Sequence, residues 1–230
     1  MFEHVKRESA ARFVELRDYL NYITPAKIEV NQVDAATQRG QAPVEPSHKI
    51  VERGLFFVHL YGVVEYTVRN TVSTAISTIN NEQCKYSDLK PVFLSLALDG
   101  EFESLSQVKA SKKWEKRWEI LSKGFSNEVA VLNNDIIPTD GANIKFKQLE
   151  SIWKSFCIDD PILPRVGTGG LLNELVTNRN KIAHGVETPE TVGRRFTYDE
   201  LTLRFDAISE LCSYIINTFE SYIEEKKFKK

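Results

Sequence analysis

The chain has 230 residues, 42% of them hydrophobic and 27% charged, with a formal net charge of −2. That is enough apolar material for the core of one large domain or two small ones. The near balance of charge gives no overall basic field and counts against a protein that coats nucleic acid, so any nucleic acid must be held by a local patch.

Three cysteines, Cys84, Cys157 and Cys212, show no paired spacing. They fit buried free thiols in a reducing compartment and offer neither a zinc site nor a disulfide framework. The opening MFEHVKRESAARF lacks the apolar core of a signal peptide, and no run reaches the ~20 apolar residues of a membrane span. The expectation is a cytoplasmic protein with no membrane contact and no cofactor.

The first element is a helix over 2–23, with Val5, Phe13, Leu16, Tyr19, Leu20 and Ile23 on its apolar side. From 24 to 49 the pattern fails among Pro25, Gly40, Pro43 and Pro46. A loop of that length suits a mobile segment, a cover over a cleft or a short helix around 33–38, and the sequence does not choose among them. A long helix follows over 50–80, apolar almost all round between Leu55 and Val72, as a central buried helix would be. Glu65 stands inside it and has two candidate partners: Arg179, far along the chain, or Arg69, one turn away on the same helix. His59 reads as a packed core histidine.

Two further helices are expected over 89–98 and 102–121, divided at Asp99-Gly100. The second holds KKWEKRW, in which Trp114 and Trp118 lie one turn apart among Lys112, Lys113, Lys116 and Arg117. Stacking surface beside positive charge could hold single-stranded RNA; the alternative is an amphipathic helix with tryptophans inward and lysines in water. Residues 124–143 read as irregular, with a short extended piece around 128–132 and nothing catalytic. A short amphipathic helix spans 146–156, closed by Asp159-Asp160-Pro161 and Pro164. Gly167-Thr168-Gly169-Gly170 lacks the lysine and preceding strand of a P-loop, so its role is to start the next helix.

That helix, 171–185 or LLNELVTNRNKIAHG, carries the chemistry. Leu171, Leu172, Leu175, Val176, Ile182 and Ala183 fill an apolar arc of about 140°, and Arg179 projects from its middle. A guanidinium aimed into a core or dry interface costs several kcal/mol unless paired, so either a carboxylate or a functional cleft awaits it. Gly185 is the left-handed residue with which a helix stops, which puts His184 in the last turn, where the helix dipole favours a cationic ring. Asn180 shares a face with His184 and could orient it. Arginine for an anion, histidine for a proton and asparagine for orientation suit phosphodiester chemistry without a metal. The final helix, 198–225, has Leu201, Phe205, Ile208, Cys212, Ile215, Phe219 and Tyr222 at alternating spacings of four and three, a seam for packing within a bundle or across a dimer. The closing KKFKK reads as a solvated tail.

The string Arg179-Asn180-Lys181-Ile182-Ala183-His184 resembles the R-polar-x3-H motif of HEPN domains, and the similarity extends to LFFVHLYGVVEYTVRN upstream and to the long helix downstream. The resemblance implies an all-α helical bundle with long antiparallel helices and extra short ones, a single domain over 1–230 with a helical insertion at 84–160. It further implies a metal-independent endoribonuclease in which the 2′-hydroxyl of RNA attacks the adjacent phosphorus. Arg179 would stabilise the phosphate, His184 would transfer protons and Asn180 would position the histidine; Lys181 joins the candidate RNA contacts. The biological role implied is a toxin or abortive-infection effector, with an antitoxin or defence-system partner. Some HEPN-like domains instead bind RNA or protein without catalysis. Arg179 and His184 are turned about 140° apart on a regular helix, so one phosphate is served either by an unwound last turn or by two protomers across a twofold axis. HEPN-like proteins use the second arrangement, which makes a homodimer the expected working unit.

Overall fold

The computed structural model describes residues 1–24 and 46–230. Among them the chain is all-α: α1 (Glu3–Ile23), α2 (Ser47–Asn81), α3 (Leu94–Ala97), α4 (Asp99–Gln107), α5 (Lys113–Gly124), α6 (Phe146–Phe156), α7 (Thr168–Ala183), α8 (Pro189–Gly193) and α9 (Tyr198–Glu224), with 3-10 turns at Tyr86–Asp88 and Ala110–Lys112. Most of the irregular stretch expected over 24–49 lies outside the described residues; Ser47 already begins α2.

At about 1.5 Å per residue α2 is ~50 Å long, and its apolar girth lets it pack against α1, α7, α8 and α9 at once. Phe56, Phe57, Leu60, Tyr61, Val64, Val68 and Val72 are all buried. The seven seam residues of α9 are buried too, the helix packing on α2, α1 and α7 while its Phe219 and Tyr222 meet the rings of α6. The heptad spacing is thus consumed inside the bundle. Thr197 and Glu200 form the capping box that starts α9. Arg204 then ties α9 to α7 by a bidentate pair with Glu174, at 2.9 and 3.0 Å.

The segment between α2 and α7 is anchored by aromatic rings. Phe93, Trp153, Phe156, Phe219, Tyr222 and Phe228 meet at centroid distances of 5.0–6.5 Å. Each such pair adds about 0.5–1.5 kcal/mol beyond area burial. This cluster corrects the solvated-tail reading of KKFKK: Phe228 is fully buried, its carbonyl accepts from the Lys90 amide at 3.0 Å, and Lys226 pairs with Glu82 at 2.6 Å. One apolar residue among four lysines is enough to pin the end.

The expected helices over 89–98 and 102–121 are also corrected. Only Leu94–Ala97 of the first is α-helical, Asp99-Gly100 opens α4 instead of dividing helices, and the real break falls at Val108, whose backbone is extended. A straight helix would hold Phe102 and Trp118 ~24 Å apart. The break folds α5 back so that both line one groove. The extended piece at 128–132 is a single bridge, Val129 against Lys85, and the Asn80 side chain pairs with both backbone groups of Leu132.

Two glycines set the closest approach in the bundle. A Cβ on Gly54 of α2 would lie 2.0 Å from the Pro189 carbonyl oxygen, and one on Gly193 of α8 would lie 1.9 Å from that of Ile50. Backbone cannot yield as a side-chain tip can. Gly54→Val or Gly193→Val is expected to cost about 3 kcal/mol or more, a fall in melting temperature of roughly 6–12 °C. Gly62→Ala, with open space around it on the same helix, is expected to be neutral or to gain about 0.5–1 kcal/mol. Thermal melts of the three variants check the contrast.

Candidate active site

The local sequence of α7 does what its pattern requires. Gly167, with φ of 93°, turns the chain into the helix, and Leu172, Leu175 and Val176 bury against α2 and α9. At the other end Gly185 takes φ of 68°. The amide of Gly185 donates to the Ile182 carbonyl at 3.0 Å and that of Val186 to the Lys181 carbonyl at 2.8 Å, the two bonds of a Schellman motif. His184 is the C-cap residue, exposed, and its ring makes no hydrogen bond or ion pair with the described residues.

The turn that carries His184 is clamped from behind. Glu187 accepts from Lys181 at 2.8 Å and pairs with Arg195 at 2.5 Å. Hydrogen bonding from Lys181 first, then from Arg195, holds the Glu187 carboxyl below the usual carboxylate range. The clamp is therefore complete above that range and loosens as pH falls through the lowered value. Thr188 caps α8, which seats on α2 through the glycine crossing. Lys181, a candidate RNA contact, is paired with Glu187 here.

Arg179 is half-buried, and its partners differ from those expected. Its Nη1 donates to the side-chain oxygens of Asn180 at 3.0 Å and Asn143 at 3.3 Å, and its guanidinium carbon lies 4.8 Å from the centre of the Tyr61 ring. Asn143 in turn donates to Asn180 at 3.1 Å. The Tyr61 hydroxyl accepts from the Ile144 amide at 3.0 Å, which fixes the 143–144 stretch against α2. Burial pushes the Tyr61 phenol up.

Of the two candidate partners of Glu65 the structure takes Arg69, at 3.1 Å, and Glu65 makes no ion pair with Arg179, because i, i+4 proximity on one helix wins over a partner across the bundle. Two other expectations fail. Asn180 does not hold His184: its oxygen is occupied by Arg179 and Asn143, so it positions the arginine. His59 is likewise not in the core but exposed, its ring 5.0 Å from that of Tyr19. Asn143 was invisible in sequence, since a lone asparagine in an irregular stretch carries no periodic signal. Tyr61 was visible only as one more residue of the apolar stretch between Leu55 and Val72.

The electrostatic contrast with Arg204 is instructive. Arg204, also half-buried, has its charge met by the Glu174 carboxylate. Arg179 is surrounded by neutral amides and a ring, with no carboxylate partner among the described residues. Such groups orient a guanidinium without neutralising it, and so leave it ready for an anion. Among the described residues no three His, Cys, Asp or Glu side chains gather to hold a metal ion, and no helix is long and apolar enough to cross a membrane.

A model of the RiboL-PSP-HEPN family matches residues 8–221, which takes in α7 with both Arg179 and His184. The chain belongs to that family. Neither comparison with curated proteins nor comparison with solved structures returns a match. HEPN membership ties the chain to nuclease-like or RNA-related roles. In this HEPN chain the other candidate RNA contacts lie apart from α7, on and beside α5. Lys112 and Lys113 are exposed, Lys116 pairs with Glu119 at 3.3 Å, and Arg117 stacks 4.7 Å over Trp114. Trp114 and Trp118 point outward, each more than 60% exposed, so the expected alternative of inward tryptophans does not hold.

Proposed function

We propose that this HEPN protein is a metal-independent endoribonuclease that works as a homodimer. The observation that supports it most is the state of Arg179: held in one orientation by Asn143, Asn180 and Tyr61, with its charge unmet. A phosphate of RNA supplies the missing charge. In the reaction the 2′-hydroxyl loses its proton and bonds to the adjacent phosphorus, the bond to the 5′-oxygen breaks, and that oxygen leaves with a proton. His184 moves the protons and Arg179 stabilises the charge that builds on the phosphoryl oxygens.

Arg179 and His184 diverge on α7, so the reading assigns them to one phosphate across a twofold axis, each protomer contributing one of the pair. The 84–160 stretch is then an insertion into a single HEPN domain. An enzyme of this kind acts in the cytoplasm as a toxin or abortive-infection effector restrained by an antitoxin or defence-system partner.

The test is cleavage of single-stranded RNA in excess EDTA, with the His184→Ala protein run beside the wild type. Wild type is expected to cut and to leave a cyclic phosphate and a 5′-hydroxyl, while DNA survives for want of the 2′-hydroxyl. Activity that disappears with chelator and returns with magnesium or manganese sinks the mechanism.

A further inference from the structure

Among the described residues, a stripe of exposed large apolar side chains runs along α5 to its C-cap: Trp114, Trp118, Leu121 and Phe125 are each 62–72% exposed and follow one another at spacings of four, three and four. That is the spacing of a helix seam, and here no neighbour covers it. The stripe does not stand proud of the surface. With Leu94, Leu98 and Phe102 it lines a groove of about 670 Å³ between α5, α4 and the 91–98 segment. That volume is within the ~300–1,000 Å³ in which proteins bury the apolar groups of a ligand.

Charge decides what fits. The stretch 109–124 holds six Lys or Arg against two Glu in a chain whose total is −2. Lys109, Lys112 and Lys113 make no ion pair with the described residues, and Arg117 rests on a ring. The facing helix α4 carries Asp99, Glu101 and Glu103, of which Glu101 is paired with Lys123, so the positive charge beside the groove is confined to the α5 side. We infer that this groove is a docking site for an amphipathic helix of a partner protein, with apolar side chains at i, i+4 and i+7 in the groove and Asp or Glu along the flank facing α5.

The other occupants fit less well. A second copy of α5 brings like charge against like. RNA bases entering walls of Leu94, Leu98 and Leu121 lose the hydrogen bonds their edges make with water, and Arg117 already covers a face of Trp114. A lipid surface matches a ridge better than a concave groove.

A displayed library of randomised helical peptides, panned against the full chain and counter-selected against its Trp118→Ala variant, tests the assignment. The expected winners carry large apolar residues at i, i+4 and i+7 with an excess of Asp and Glu beside them. A synthetic winner is expected to lose at least about tenfold in affinity for Trp118→Ala and for the Lys112→Glu, Lys113→Glu double variant. Circular dichroism of both variants is expected to match wild type, since these side chains are exposed. No enrichment, winners without the acidic flank, or binding indifferent to either variant overturns the inference. So does binding of a labelled RNA oligonucleotide or an anionic phosphatidylserine vesicle that Trp118→Ala abolishes, or a dimer that this substitution dissociates in light scattering. A Leu121→Ala protein, changed in the same groove at a residue outside the candidate RNA contacts, is expected to lose the peptide likewise and to cut RNA as wild type does in the absence of partner, which keeps this test separate from that of the α7 site.

Discussion

Replacing His184 with alanine is expected to slow RNA cleavage by about 10²–10⁴-fold, the usual contribution of a positioned proton-transfer group. The fold and the affinity for RNA should hardly change, because the ring is exposed and touches no described polar group. Arg179→Ala is expected to behave differently. It removes charge stabilisation worth about 10²–10³ in rate, and it also weakens RNA binding and takes from Asn143 the guanidinium that donates to it. Arg179→Lys should not restore the rate, because an ammonium cannot reproduce the planar fork that the two amide oxygens orient. Single-turnover cleavage gives the rates, and anisotropy with a 2′-deoxy-substituted oligonucleotide gives the affinities. A His184→Ala protein that cuts at the wild-type rate removes the residue from the chemistry.

Mixing the two inactive proteins should bring activity back. If each phosphate is served by the arginine of one protomer and the histidine of the other, an Arg179→Ala, His184→Ala heterodimer keeps one intact site and loses the other. Heterodimers form half of a fully exchanged equal mixture, so about a quarter of wild-type activity is expected. A site confined to one chain restores nothing, since every chain in the mixture lacks one of the pair. The readout is cleavage after subunit exchange, normalised to wild type at the same total concentration, with light scattering to follow assembly. The α9 seam is not available as the contact, because its apolar residues are already buried within the bundle.

Much of this protein was legible without coordinates, wherever the determining physics is local. The stop at Gly185 needs only a residue that tolerates positive φ, so the place of His184 at the end of α7 followed from the string itself. The existence of α2, α6, α7 and α9, with ends placed within about three residues, followed from apolar periodicity, which each helix carries in its own residues, and the misfit of Arg179 on an apolar arc was visible for the same reason. Tertiary structure decided the rest. It chose Asn143 and Tyr61 as the company of Arg179 and kept Glu65 for Arg69; distance along the chain erases any such signal, and only packing reveals which side chains meet. It turned Trp114 and Trp118 outward, since an amphipathic pattern says that one face is apolar but not whether anything covers it. It also brought Gly54 and Gly193 together, where the absence of two methyl groups lets α8 seat on α2 and hold the turn that presents His184.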